Sequence, residues 1–320
     1  MINRKITYAA LALLTLGMAS CSQEDDLVPT GRDTPITIAS AQVDGLVATR
    51  SDEPTYYTGN MWVYTKSATK TDAKYNSEQV KWAVTNGTPT IDATATPTLY
   101  TGEQGDQTVW AFSLNMTNYS LPPYFTANVL NLMDILYGKT TLSGAEVKTL
   151  TLRHLFTKVT VNITEFGSEL SYTPDFKNSL DGDGVWLTGL LSDVKIDHSG
   201  VDNPISPADE AEYNGETKCC YIGQNENTGY YQSDALVFPS AENTEVGIRV
   251  RVSVDKNPHY LTTTFQPQRT ENGVTTYGFE AGYAYTVNLK VGKDKIEVTS
   301  VDTDESSPWG TGWENETELN

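Results

Sequence analysis

Val246-Gly247-Ile248-Arg249-Val250-Arg251-Val252-Ser253-Val254 alternates aliphatic residues with small or polar ones over its whole length. Successive side chains of a strand point to opposite faces, so this run puts five aliphatic residues on one side. Arg249 and Arg251 fall on the other side, toward water. A helix would scatter the same residues around its circumference. The period is two, which predicts a half-buried β-strand. Tyr260 to Phe265 is expected to pair with it across a turn at Asn257-Pro258. Tyr283 to Val291 alternates as cleanly, is entered through Ala281-Gly282, and turns at Gly292-Lys293-Asp294 into Ile296-Glu297-Val298. Val185 to Leu191 and Ala235 to Phe238 read as buried strands of the same half.

The pattern extends toward the N-terminus. Pro35-Ile36-Thr37-Ile38, Asn60 to Thr65, Val80 to Thr85 and Thr108 to Leu114 carry it, separated by polar loops. Pro122-Pro123 breaks it, because neither residue can donate to a ladder. Val129 to Tyr137 is leucine-rich and reads as a short helix or a turn before Gly138. Val147 to Leu152 and Leu155 to Ile163 form two neighbouring strands or one bent strand. Glu165-Phe166-Gly167-Ser168 marks the end of a first domain. No helix longer than about three turns emerges. Short strands with turn signals between them predict an all-β chain built as a pair of β-sandwiches.

The first 26 residues say where the chain works. Asn3-Arg4-Lys5, an apolar run from Ile6 to Met18 and the small residues Ala19-Ser20 form a secretory signal, residues 1–21. The run is too short for the roughly twenty apolar residues of a membrane span. Met18-Ala19-Ser20-Cys21 resembles a bacterial lipobox, in which Cys21 receives lipid (palmitate) chains and becomes the mature N-terminus. One chain anchors marginally, whereas two or three hold firmly. Ser22-Gln23-Glu24-Asp25-Asp26 is similar to the acidic export signal of Bacteroides-type surface lipoproteins. It opens an acidic tether, residues 22–32, and points to the outer face of the outer membrane.

Residues 1–21 hold Arg4 and Lys5 and no acid, so without them the net charge falls from −19 to −21. Such a surface does not bind nucleic acid through phosphates. Roughly 290–300 residues remain, which at about 150 per domain suggests two domains, each able to bury a core. They are 33–165 and 166–320, the second ending in an acidic tail that carries Trp309 and Trp313. A hydrophobic content of 38%, with 18 Tyr and 6 Trp, is that of a globular protein.

Little in the sequence marks chemistry. Cys219 and Cys220 are neighbours, for which disulfide geometry is strained; they read as strand residues facing alternately in and out. His154 and Lys158, four apart on a strand, would share a face about 13 Å apart. No nucleophile lies near them in sequence. His198 and His259 fall in turn-like stretches without metal-ligand spacing. Asp181-Gly182-Asp183-Gly184 resembles part of a calcium loop, but the twelfth position from Asp181 is Ser192 rather than Glu. No phosphate loop or Gly-x-Ser-x-Gly elbow occurs. Trp62, Tyr64, Trp82, Trp110 and Phe112 alternate within strands, either as core or as a sugar-stacking platform. The expectation is no enzyme, no cofactor and no metal.

Leu152-Arg153-His154-Leu155-Phe156-Thr157-Lys158-Val159-Thr160-Val161 resembles the His/Lys-containing strand of the fimbrillin-like (type V pilin) family. Asp134-Ile135-Leu136-Tyr137-Gly138, Ala281 to Val287 and Trp309-Gly310-Thr311-Gly312-Trp313 are similar to further family elements in the same order. The resemblance implies two transthyretin-like β-sandwich domains in tandem, and a lipoprotein subunit of surface fimbriae that contributes to adhesion. It further implies that an arginine-specific protease cuts between Arg50 and Ser51. Loss of the first strand, 33–50, would let a strand of another subunit, in a homo- or heteropolymer, replace it. Partners would then be other fimbrial subunits, outer-membrane lipid through Cys21, and a host or bacterial surface ligand. Arg32 is a second candidate site, but it precedes the strand, and a cut there would release only the lipid tether and leave the fold intact. The rival readings are a glycan-binding surface lipoprotein using aromatic platforms and, behind it, an acidic glycoside hydrolase.

Overall fold

The computed structural model describes residues 34–43, 56–72, 74–76, 80–90, 100–101, 106–114, 124–126, 134–143, 146–174, 182–242 and 244–303. Among these the chain is all-β, with 23 strands and no helix. The N-terminal half supplies β1 (Thr34–Pro35), β2 (Ile38–Val43), β3 (Gly59–Ser67), β4 (Val80–Thr85) and β5 (Thr88–Thr90). It continues with β6 (Tyr100–Thr101), β7 (Asp106–Leu114), β8 (Tyr124–Thr126), β9 (Ile135–Ser143) and β10 (Lys148–His154). Seven of these form one sheet in the order β2-β10-β9-β7-β3-β4-β5. Met61-Trp62-Val63-Tyr64 on β3 and Val109-Trp110-Ala111-Phe112 on β7 are buried without a break. A strand wholly apolar along its length is covered on both faces. Met61, Val63, Val109 and Ala111 enter one core together with β2, and Trp62, Tyr64, Trp110 and Phe112 enter another.

Leu155 and Phe156 form a bend, after which β11 (Thr157–Phe166) joins different strands altogether. The C-terminal half adds β12 (Gly184–Leu190), β13 (Asp193–Ile196), β14 (Ile205–Pro207), β15 (Gly215–Lys218), β16 (Cys220–Gln224) and β17 (Tyr231–Val237). It ends with β18 (Val246–Val254), β19 (Asn257–Phe265), β20 (Gln268–Glu271), β21 (Val274–Tyr277), β22 (Ala284–Val291) and β23 (Ile296–Thr303). A five-stranded sheet, β16-β17-β11-β22-β23, packs on a four-stranded one, β15-β12-β18-β19. Val159, Val161 and Val287 of the first meet Leu187, Ile248 and Val250 of the second in a shared core. The bounds of β18 coincide with the nine-residue alternation, and its aliphatic side faces that core.

Several expectations shift. The stretch 135–137 opens strand β9, and residues 129–133 lie outside the described residues. The hairpin turn after β18 is Asp255-Lys256, both with positive φ, so Asn257-Pro258 starts β19 instead. Proline is tolerated there because β19 is an edge strand. The end of the first domain expected at 165 falls at the end of β11, whose partners β17 and β22 both lie C-terminal to it. Conversely β13 and β14 supply Val194, Ile196 and Ile205 to the core against Trp62 and Phe112. The two halves therefore exchange elements around the bend at Leu155-Phe156.

Candidate functional site

The site begins with β2, the end strand of the seven-stranded sheet. It runs parallel to β10, with Ser40, Ala41, Gln42 and Val43 opposite Thr149, Leu150, Thr151 and Leu152. Ser40 and Thr149 also share a hydroxyl hydrogen bond of 3.0 Å. Ile38, Ala41 and Val43 point inward and are buried, as is Ile36 just before the strand. They fill a groove floored by Leu150, Leu152, Leu142, Val63 and Trp82. Just ahead of Ile36, β1 pairs antiparallel with β6.

The sheet curls so that its other end reaches β2. Asn86 and Gly87 both have positive φ and make the two-residue turn between β4 and β5, as Asn-Gly does in a type I′ hairpin. The Gly87 carbonyl accepts the Ala41 N–H at 2.8 Å, and the Ala41 carbonyl accepts the Tyr57 N–H at 3.0 Å. A Cβ on Gly87 would stand 2.4 Å from the Tyr56 ring. A larger residue would have to displace that ring and hold a left-handed backbone, so this clasp favours glycine. Beneath it the Tyr57 hydroxyl donates to the Asn60 carbonyl and accepts from Ser113 at 2.7 Å. Burial pushes that phenol up to about 12, so it stays a neutral donor. The result is an apolar seat holding a short strand by its backbone. Physically, such a seat recognises an extended segment with inward apolar residues.

Arg50 and Ser51, where processing is expected, Cys21, where lipidation is expected, and Trp309 and Trp313 all lie outside the described residues. The described positions on either side of Arg50 are Val43 and Tyr56.

Other sequence candidates disperse. His154 and Lys158 do not share a strand: His154 ends β10 and Lys158 lies on β11 across the bend. His154 Nδ1 meets Asp134 Oδ2 at 2.7 Å, while Lys158 pairs with Asp234 at 2.9 Å on the five-stranded sheet. Both are structural contacts, each joining its strand to a neighbour. Replacing His154 by Leu strands the largely buried Asp134 carboxylate and should cost about 2–3 kcal/mol at neutral pH. The double replacement Asp134→Leu with His154→Leu should recover most of it. Chemical denaturation of the two variants checks this.

Asp183 accepts the Thr173 N–H at 3.0 Å, while Asp181 lies outside the described residues. Cys219 sits in the step where the chain passes from β15 in one sheet to β16 in the other, rather than within a strand. It is a free thiol pushed up by burial, and so poorly nucleophilic. Trp62, Tyr64, Trp82, Trp110 and Phe112 are all buried, so none offers a face for stacking on a sugar. His259 is exposed on β19. His198 packs against Tyr64 and Phe112, a contact that sequence reasoning missed. The clasp was missed as well, although Asn86-Gly87 between two alternating runs is its signature.

No protein-family model and no curated protein matches the chain. Solved structures do match in shape. A "putative cell adhesion protein" from Bacteroides ovatus ATCC 8483 has a TM-score of 0.57 at 13% identity, over 85% of this chain and 98% of that one. A second "putative cell adhesion protein", from Bacteroides uniformis ATCC 8492, has a TM-score of 0.51 at 14% identity, over 85% and 99%. The C-terminally truncated tip fimbrial protein Mfa3 of Porphyromonas gingivalis is a looser likeness. Its TM-score is 0.45 at 12% identity, over 85% and 99%. The chain has the fold of the two Bacteroides proteins.

Proposed function

We propose that the chain is a non-enzymatic structural subunit of cell-surface fimbriae. It would be exported as a lipoprotein on Cys21, held at the outer membrane, and contribute to adhesion. Its two halves would act as transthyretin-like β-sandwich units in tandem. The carrying observation is the seating of β2: a short strand at the end of its sheet, buried on its apolar side, with Arg50 seven residues beyond its end in the sequence. Cleavage at Arg50-Ser51 would leave residues 34–43 joined to the body by noncovalent contacts alone. Their departure would bare the Leu150 and Leu152 side chains and the outer backbone groups of β10, which is costly until another strand pairs there. A strand from another subunit would satisfy both demands at once. The buried aromatics remove the platform on which the glycan-binding alternative relied.

N-terminal sequencing of the surface-exposed form is the direct test. Ser51 as first residue, with a heat-sensitive ladder of oligomers, is the expected outcome. The Arg50→Ala variant should fold, reach the surface and stay unpolymerised, with residues 22–50 retained. Normal ladders from that variant would refute exchange at this site.

A further inference from the structure

The segment Asp197–Pro204 joins β13 to β14 as a strap across the aromatic face of the seven-stranded sheet. Trp110 Nε1 donates to the His198 carbonyl at 3.0 Å, and the Tyr137 hydroxyl donates to the Val201 carbonyl at 2.6 Å. Lys139 pairs with Asp202 at 2.8 Å, and the Arg153 guanidinium donates to the Asp202 carbonyl. Gly200 has φ +80° and lies flat on Trp110, where a Cβ would come within 2.9 Å of the indole. In the middle of these contacts, the His198 ring centroid is 5.8 Å from that of Tyr64 and 5.4 Å from that of Phe112. Its Nε2 is buried and makes no hydrogen bond among the described residues.

We propose that this strap is an acid-released latch between the two halves of the molecule, with the His198 imidazole as its sensor. A neutral ring suits an aromatic box, whereas an imidazolium there would carry a buried N–H without an acceptor. The charged groups around the ring divide. Asp197, next to it in sequence, favours the charged form, but its carboxylate faces solvent and is held by the Ser199 N–H at 2.7 Å. Lys195 on β13 acts on Asp197, Lys139 on β9 is paired with the Asp202 carboxylate, and Arg153 on β10 donates to the Asp202 carbonyl. From β3 and β7 the ring meets Tyr64, Phe112 and Trp110, which are uncharged. Burial outweighs Asp197 and holds the His198 imidazole below its ordinary value of 6.5.

The sign follows. Between that depressed value and about 6.5, the opened strap binds more protons than the closed one. Closure therefore weakens as pH falls through that window, is unaffected above it, and is flat below it. Because His198 O anchors to Trp110 and Val201 O to Tyr137, ejecting the ring loosens the strap as a unit. It would uncover the contact between β13–β14 and the seven-stranded sheet.

Hydrogen exchange of the full chain in detergent, corrected for intrinsic rates and followed over residues 193–207 from pH 7.5 to 5, tests this. Protection should fall below pH 6.5, by at most tenfold per pH unit because one proton is involved. His198→Phe fills the box without titrating and should make the profile flat, while His259→Phe should leave the fall intact. A flat wild-type profile, or an equal fall in His198→Phe, overturns the proposal. Should His198→Phe not fold, NMR titration of the wild-type histidines still decides: a His198 value at or above 6.5 overturns the latch, and a lower one supports it.

Discussion

A chain that begins at Ser51 is expected to lose monomeric stability and to recover it when a peptide of residues 33–50 is supplied. Ile36, Ile38 and Val43 are buried in the core that β2 shares with Leu150 and Trp82. At about 1.5–3 kcal/mol for each buried aliphatic side chain, leaving the seat empty forfeits roughly 5–9 kcal/mol, an upper estimate. Native domains hold a margin of about 5–15 kcal/mol, so the loss is comparable with the whole. The backbone adds to it, since β10 gives up its parallel ladder from Lys148 to Leu152 and the clasp at Gly87 loses Ala41. The truncated chain should elute as oligomers or melt well below the full chain. Added peptide should restore both size and melting temperature in a saturable way. Ile38→Asp in the peptide should abolish rescue, because it would bury an unpaired carboxylate. Thr37→Asp should not, because Thr37 is exposed. A truncated chain as stable and monomeric as the parent would show that β2 is dispensable.

Phe156→Ala is expected to destabilise the protein by about 3–5 kcal/mol, as for other buried aromatic truncations. Phe156 lies at the bend between the sheets, fully buried, with its ring 5.3 Å from that of Phe238. Its carbonyl accepts the Gly282 N–H at 2.9 Å, and the next residue, Thr157, donates its hydroxyl to the Glu280 carbonyl. One core cluster joins Phe156 to Trp62 and Tyr64 of the N-terminal sheet, to Leu236 of β17 and to Phe238 just after it. The cavity should therefore weaken both halves together, and calorimetry should show one transition moved to lower temperature. Two transitions, with one unmoved, would mean that the halves unfold independently despite the shared core.

Much of the architecture was legible in the residues because a strand's period is strictly local. The alternation of Val246–Val254 and of Tyr283–Val291 needs no knowledge of partners; the first became a strand buried on its aliphatic side, and the second a strand from Ala284 to Val291. The fully apolar quartets Met61–Tyr64 and Val109–Phe112 contained a further message, that a second layer must cover the sheet. Which segment covers it is not a local property. The covering strands, β13 and β14, lie some eighty residues or more along the chain from those they cover. The same distance separates His198 from Trp110, so an aromatic box around that histidine could not be read from a turn-like stretch. His154 and Lys158 misled for the opposite reason: continuous alternation hid the bend at Leu155-Phe156, which sends one residue to each sheet.

By itself, the sequence determined the period-two strands of the described residues, among them a short apolar strand at their start, and it set the expectations of an export signal ending at Cys21 and of processing at Arg50. Those are properties of neighbouring residues. Tertiary structure alone decided that this strand lies parallel to β10, clasped by Gly87, and that the halves interlock around Phe156. Pairing and layer contacts join residues far apart in sequence, and their free energy depends on which surfaces meet rather than on the order of residues within any one strand.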